Sequence, residues 1–244
     1  MHRLGHTRGA LEHDHLLQTP DTFVRAPLPG MHKSTAIVHV GPARGARFTQ
    51  YTAEFEPGGT LTAPAGQRFL YVLEGEISLG GRRLGPGGYA YVPSGSATSI
   101  AARGPAHVAV IEKPRVELNG APAMLIGEER SVAPVSLNGD EALEVRALIP
   151  DDPAFDFAVN TMTYQPGACL PMVEIHVMEH GLLMLAGGGV YRLSDKWYPV
   201  AAGDFIWMAP YCPQWFGALG KTPARYLIYK DWNRHPLDRA RGEP

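Results

Sequence analysis

Apolar and polar side chains alternate along FTQYTAEFEPGG, starting at Phe48, and again along FAVNTMTYQPGA, starting at Phe157. Each run then meets a Pro-Gly, as a strand entering a turn would. YVLEGEISL from Tyr71 matches LMLAGGGVYRL from Leu183, each a strand, a glycine-bearing turn and a second strand. GGYAYVPSGSAT from Gly87 matches GDFIWMAPYCPQ from Gly203, and HVAVIEKP from His107 matches RYLIYKDW from Arg225. Four matched segments in one order form an internal repeat. They predict two all-β units built as sandwiches or barrels, each of roughly a hundred residues. The expected division is an N-terminal arm over 1–30, a first unit over 31–118, a connector over 119–150 and a second unit over 151–244. The connector, with GEERSVAP and LNGDEALE, is polar and turn-rich, with at most one further strand.

Composition sharpens this picture in a few places. Among 244 residues there are 28 Gly and 22 Pro, which favours short strands and turns over long helices. A formal net charge of −2 gives no footprint for nucleic acid or an anionic membrane, so the expected partner is a small molecule. No apolar run reaches the ~18 residues of a membrane helix, and MHRLGHTRGALEHDHLL lacks a signal-peptide core, so a soluble, cytoplasmic protein is expected. Cys169 and Cys212 are too few for a disulfide framework and are read as buried free thiols. His2, His6, His13 and His15 lack a fixed spacing and are read as solvated tail residues.

The segment VEIHVMEHG, Val173 to Gly181, carries two histidines and two carboxylates within seven residues. On a strand, Glu174, His176 and His180 share parity and project from one face, whereas Glu179 faces outward. Burying a carboxylate and two imidazoles without a cation is unfavourable, so a metal site is the better reading. In RYLIYKDWNRHP, Tyr226, Ile228 and Lys230 also share a face. A core-facing lysine calls for an anionic ligand, such as a substrate carboxylate. Tyr191, past the GGG turn, can join the same pocket.

Gly87, Pro93 and Gly95, following a Pro-Gly and a glycine turn, resemble the cupin signature, and two copies resemble a bicupin of two jelly-roll β-barrels. The cupin pattern places a fourth ligand at Gln214, eleven residues after Gly203. In the first half LTAPAGQRFLY and Thr98 offer no ligand set, so that barrel is expected to lack metal. Two imidazoles, a carboxylate and an amide oxygen suit Mn²⁺, with Fe²⁺ second. The second half as a whole is similar to the (S)-ureidoglycine aminohydrolase family, through Glu-x-His-x-x-x-His, the glutamine, GVY and YLIYKDWNR. That resemblance implies manganese held by Glu174, His176, His180 and Gln214. It implies substrate contacts from Tyr191, Tyr226 and Lys230, joined by Glu174 and Gln214, with Glu174 and Lys230 as catalytic candidates. The implied reaction converts (S)-ureidoglycine and water to (S)-ureidoglycolate and ammonia in purine (allantoin) catabolism. Trp232 stands where the family commonly has a smaller residue. The alternatives are another Mn- or Fe-dependent cupin enzyme, a dioxygenase or oxidase, and a non-catalytic small-acid binder. Jelly-roll sheet edges imply a homo-oligomer.

Overall fold

The computed structural model describes residues 7–116 and 120–234. They are nearly all strand; three short 3-10 turns are the helical elements among the described residues. No helix among them is long and apolar enough to cross a membrane. The chain divides into two compact units. One comprises Val24–Ala133 and Leu148–Asp156; the other comprises the chain through Phe23, Pro134–Ala147 and the chain from Phe157 onward.

In the first unit the strands Gly88–Val92, Gln67–Glu74, Ala106–Lys113 and Thr49–Leu61 are successive neighbours in one antiparallel sheet. Their alternate residues Ala90, Leu70, Val108 and Ala53 meet in one buried core. In the second unit the corresponding order is Phe205–Met208, His180–Ala186, Ala224–Lys230 and Ala158–Tyr164. There Ile206, Leu182, Ile228 and Met162 point into the core. A separate three-stranded sheet, Lys196–Ala201, Gly188–Leu193 and Gln214–Ala218, completes this barrel. Glycine lets two of these strands approach closely: a Cβ on Gly189 would sit 2.1 Å from the Gly217 carbonyl oxygen.

The registers show how the repeat is built. Val92, Arg68, Glu112 and Thr49 are cross-strand partners in one row. Met208, His180, Lys230 and Ala158 form the matching row in the second unit.

Three expectations need correction. Residues within 1–30 are not simply an arm: His15–Gln18 pairs antiparallel with Phe205–Met208, and Leu17 is buried in the second core. Burying that leucine stabilises by about 2 kcal/mol, and Arg8 adds two hydrogen bonds to the fully buried Asp204, at 2.7 and 2.8 Å. The connector carries three strands rather than one. Leu125–Glu128 pairs within the first unit, while Val135–Leu137 and Asp140–Ala147 join the second. Finally, Pro57-Gly58 does not end its strand, which runs through to Leu61 with Gly58 at φ +78.

Candidate metal and substrate site

The segment before His180 is a loop, not the strand that parity counting assumed, and strand structure begins at His180 itself. Backbone bonds pin the loop. Glu174 and Gln214 exchange N–H···O bonds of 2.8 and 2.9 Å, and the Tyr211 amide donates to the His176 carbonyl at 2.7 Å. The expected side chains nonetheless converge. Glu174 Oε2 lies 3.1 Å from His176 Nε2, and the His176 and His180 rings are 5.1 Å apart. Lys230 is the direct cross-strand partner of His180, and Gln214 is the bridge partner of Glu174. Ile175, between the two donors, is 62% exposed.

Glu179 corrects the sequence reading. It does not face outward: in the loop just ahead of the strand it is 1% exposed and accepts a hydrogen bond from Trp207 Nε1 at 3.2 Å.

His180 is buried, and burial, followed by the charges of Lys230 and His176, lowers its pKa to about 3. It is therefore a neutral imidazole. Its Nδ1 donates to the Glu179 carbonyl at 2.8 Å, so the lone pair available to a ligand is on Nε2. Burial also lowers the Lys230 pKa, and Glu174 pulls it back upward. Among the described residues the Lys230 side chain has no hydrogen bond or ion pair. Tyr191 donates to Gln214 Oε1 at 2.9 Å and so fixes the amide's orientation. Burial raises the hydroxyl pKa values of Tyr191 and Tyr226 well above 10, which keeps both as neutral donors.

One member of this cluster escaped sequence reasoning. The Tyr164 hydroxyl lies 2.8 Å from that of Tyr226, and Phe216 packs against Tyr164, Tyr191 and Tyr226 with centroids 4.9, 5.4 and 5.8 Å away. Its parity with Met162, just ahead of a QPG turn, was the available signal.

The donors fit a divalent cation: a carboxylate, two imidazoles and an amide oxygen, with no thiolate among them. Among the described residues, the one group of three histidine, cysteine or carboxylate donors lying within 4.8 Å of one another is elsewhere, at Asp14, His15 and Cys212. It reads as a fastening, because His15 already uses Nδ1 with Asp14 and Nε2 with the Tyr198 hydroxyl, both at 2.8 Å. His15 is thus a buried anchor and not a solvated tail residue, while the His13 side chain is 91% exposed. His2 and His6 lie outside the described residues. Cys212 is buried as expected, whereas Cys169 is exposed.

This geometry, two strand-built barrels of which the second gathers N and O donors at one end, defines a bicupin; the cupin domain family matches residues 160–229. Among relatives, the (S)-ureidoglycine aminohydrolase of Arabidopsis thaliana is 39% identical over 96% of this chain and 80% of its own. The chain belongs to the (S)-ureidoglycine aminohydrolase family. The crystal structure of the Escherichia coli protein Ylba matches with a TM-score of 0.83 at 29% identity, over 93% of this chain and 95% of that one. A Bacillus subtilis oxalate decarboxylase with Mn(II) centres matches at 0.67 and 12% identity, covering 93% of this chain and 81% of that one; this likeness concerns the fold alone.

Proposed function

We propose that this protein is an (S)-ureidoglycine aminohydrolase, converting (S)-ureidoglycine and water to (S)-ureidoglycolate and ammonia in purine catabolism. The observation that carries the reading is the partly buried Lys230 beside His180, its side chain without an ion pair among the described residues, within a chain 39% identical to a curated enzyme of that name. Glu174, His176, His180 and Gln214 would hold Mn²⁺, with Fe²⁺ the second choice. When bound, the ion supplies a Lewis acid and a template that orients substrate.

The chain's own groups do the rest. The Lys230 ammonium is disfavoured by burial, so pairing with the substrate carboxylate relieves it and fixes one end of the molecule. The Tyr226 hydroxyl, aligned by Tyr164, positions the ureido group, and Tyr191 supports this chiefly by holding Gln214. The departing amine takes a proton and leaves as ammonia while the ureido nitrogen lone pair forms a C=N bond. Water then adds to the face opposite the departed ammonia. Because the hydroxyl outranks the ureido nitrogen whereas the amine did not, this inversion keeps the descriptor S. The proton released returns to the base. Glu174 is the candidate carrier of that proton. A cytoplasmic homo-oligomer belongs to the same proposal, and sedimentation of the purified chain checks the assembly.

The test uses protein purified with Mn²⁺ and freshly made (S)-ureidoglycine, with ammonia release followed against the spontaneous rate. Release above background supports the activity; none rejects it. His176→Ala should lose both metal and turnover, and turnover retained without metal would remove the ion from the mechanism.

A further inference from the structure

The matched rows place Arg68 at the register position of His180 and Glu112 at that of Lys230. Both lie on the inward faces of their strands, in phase with the core residues Leu70 and Val110. Arg68 is 3% exposed. Its Nε and one terminal nitrogen each reach Glu112 Oε1 at 2.6 Å, and the other terminal nitrogen donates to the Thr62 carbonyl at 2.8 Å. The Tyr51 hydroxyl donates to the same Glu112 oxygen at 3.1 Å. The charges are therefore exchanged between the barrels. Where one has a neutral imidazole donor and a lysine, the other has a guanidinium and a carboxylate.

We propose that this end of the first barrel is a cation site filled from within, in which Glu112 and the Thr62 carbonyl hold the Arg68 guanidinium as a tethered ligand. Its ligand class is the planar, fork-shaped guanidinium, which matches a carboxylate and a carbonyl in a way that a point-charge ammonium does not. The absence of a ligand set in this barrel then has a physical cause beyond missing histidines: a divalent ion would have to sit against a fixed positive charge. Only the analogy between the barrels rests on the metal assignment made above; the guanidinium site stands on its own contacts. Access exists as well. Glu112 lines a cavity of about 570 Å³, together with Thr49, Ser94 and Arg115.

The test is chemical rescue. Arg68→Ala in the full chain should lower the thermal unfolding midpoint, because Glu112 is left beside an empty space. Methylguanidinium at millimolar concentration should raise that midpoint saturably, methylammonium at equal ionic strength should not, and the wild-type chain should respond to neither. A variant that melts like the wild type, or that responds equally to both cations, overturns the proposal. If Arg68→Ala does not fold, the double variant Arg68→Met, Glu112→Met decides. Recovery of a folded chain supports the pairing, because both charges are removed together, and a double variant no better folded than the single one overturns it. Metal content gives an independent reading: one divalent ion per chain agrees, and a second ion in the first barrel contradicts. No ion at all would strike the metal reading instead, and the rescue measurement would still decide this one.

Discussion

Tyr191→Phe removes a single oxygen and isolates the role of the tyrosine beside Gln214. The two side chains are 1% and 4% exposed, so water cannot readily replace the hydroxyl as a partner for the amide. The ring keeps its packing on Phe216, 5.4 Å away. What is lost is one 2.9 Å hydrogen bond and the fixed orientation of Gln214 Oε1. A net hydrogen bond contributes about 1 kcal/mol, and a buried acceptor left unsatisfied costs about 1–3 kcal/mol. Of that, about 1.4 kcal/mol falling on the bound state corresponds to tenfold weaker metal binding, within the range seen when partners of metal ligands are removed. The assay is calorimetric titration of the metal-free variant with Mn²⁺, alongside kinetics at saturating metal. The expected result is a Kd raised about tenfold with KM for substrate little changed. Metal affinity equal to the wild type with a raised KM would refute the reasoning, because it would make Tyr191 a substrate contact and not the holder of Gln214.

Lys230→Met should abolish turnover while leaving the unfolding midpoint unchanged or higher, since burial already disfavours the ammonium; retained turnover would remove the lysine from substrate binding. His39 is 4% exposed, bonded to Thr52 at 2.8 Å, and lowered by burial from 6.5 to about 3. The unfolded chain therefore binds a proton below pH 6.5 that the folded chain refuses, and stability falls as pH drops from 6.5 towards 3. The loss is about 1.4 kcal/mol per pH unit, or about 2 kcal/mol at pH 5. Urea unfolding at a series of pH values should show that slope, and it should flatten in His39→Gln. Arg8→Ala leaves Asp204, 0% exposed, without two of its hydrogen bonds. Because Arg8 is itself 42% exposed, the expected loss is only about 1–3 kcal/mol, read as a lower urea midpoint for the second unit.

Much of the fold was legible because jelly-roll strands carry their own signature: alternation broken by glycine and proline at intervals. Glu174, His176, His180 and Gln214 stood out in the sequence by chemical type and spacing, although Glu174 and His176 prove to be partly exposed. Their convergence did not depend on the regular strand first assumed, since the loop is held by backbone bonds that no side-chain pattern announces. Glu179 was misread because parity was counted along a segment that folds as a loop. His15–Gln18 was missed because four residues carry too little pattern to declare a strand whose partner lies far along the chain. Arg68 and Glu112 were invisible for a related reason: each is an ordinary charged residue until the register sets them side by side.

The contact between Arg8 and Asp204 spans 196 residues, and it constrains how the molecule comes into being. The second barrel takes an edge strand from the beginning of the chain and the groove for it from near the end. At roughly 5–20 residues per second on the ribosome, that opening segment waits on the order of 10–40 s for its partner to emerge. During that interval its leucines are exposed beside a first barrel already free to fold. Closure of the second barrel is then a long-range event that waits for Phe205–Met208 to emerge.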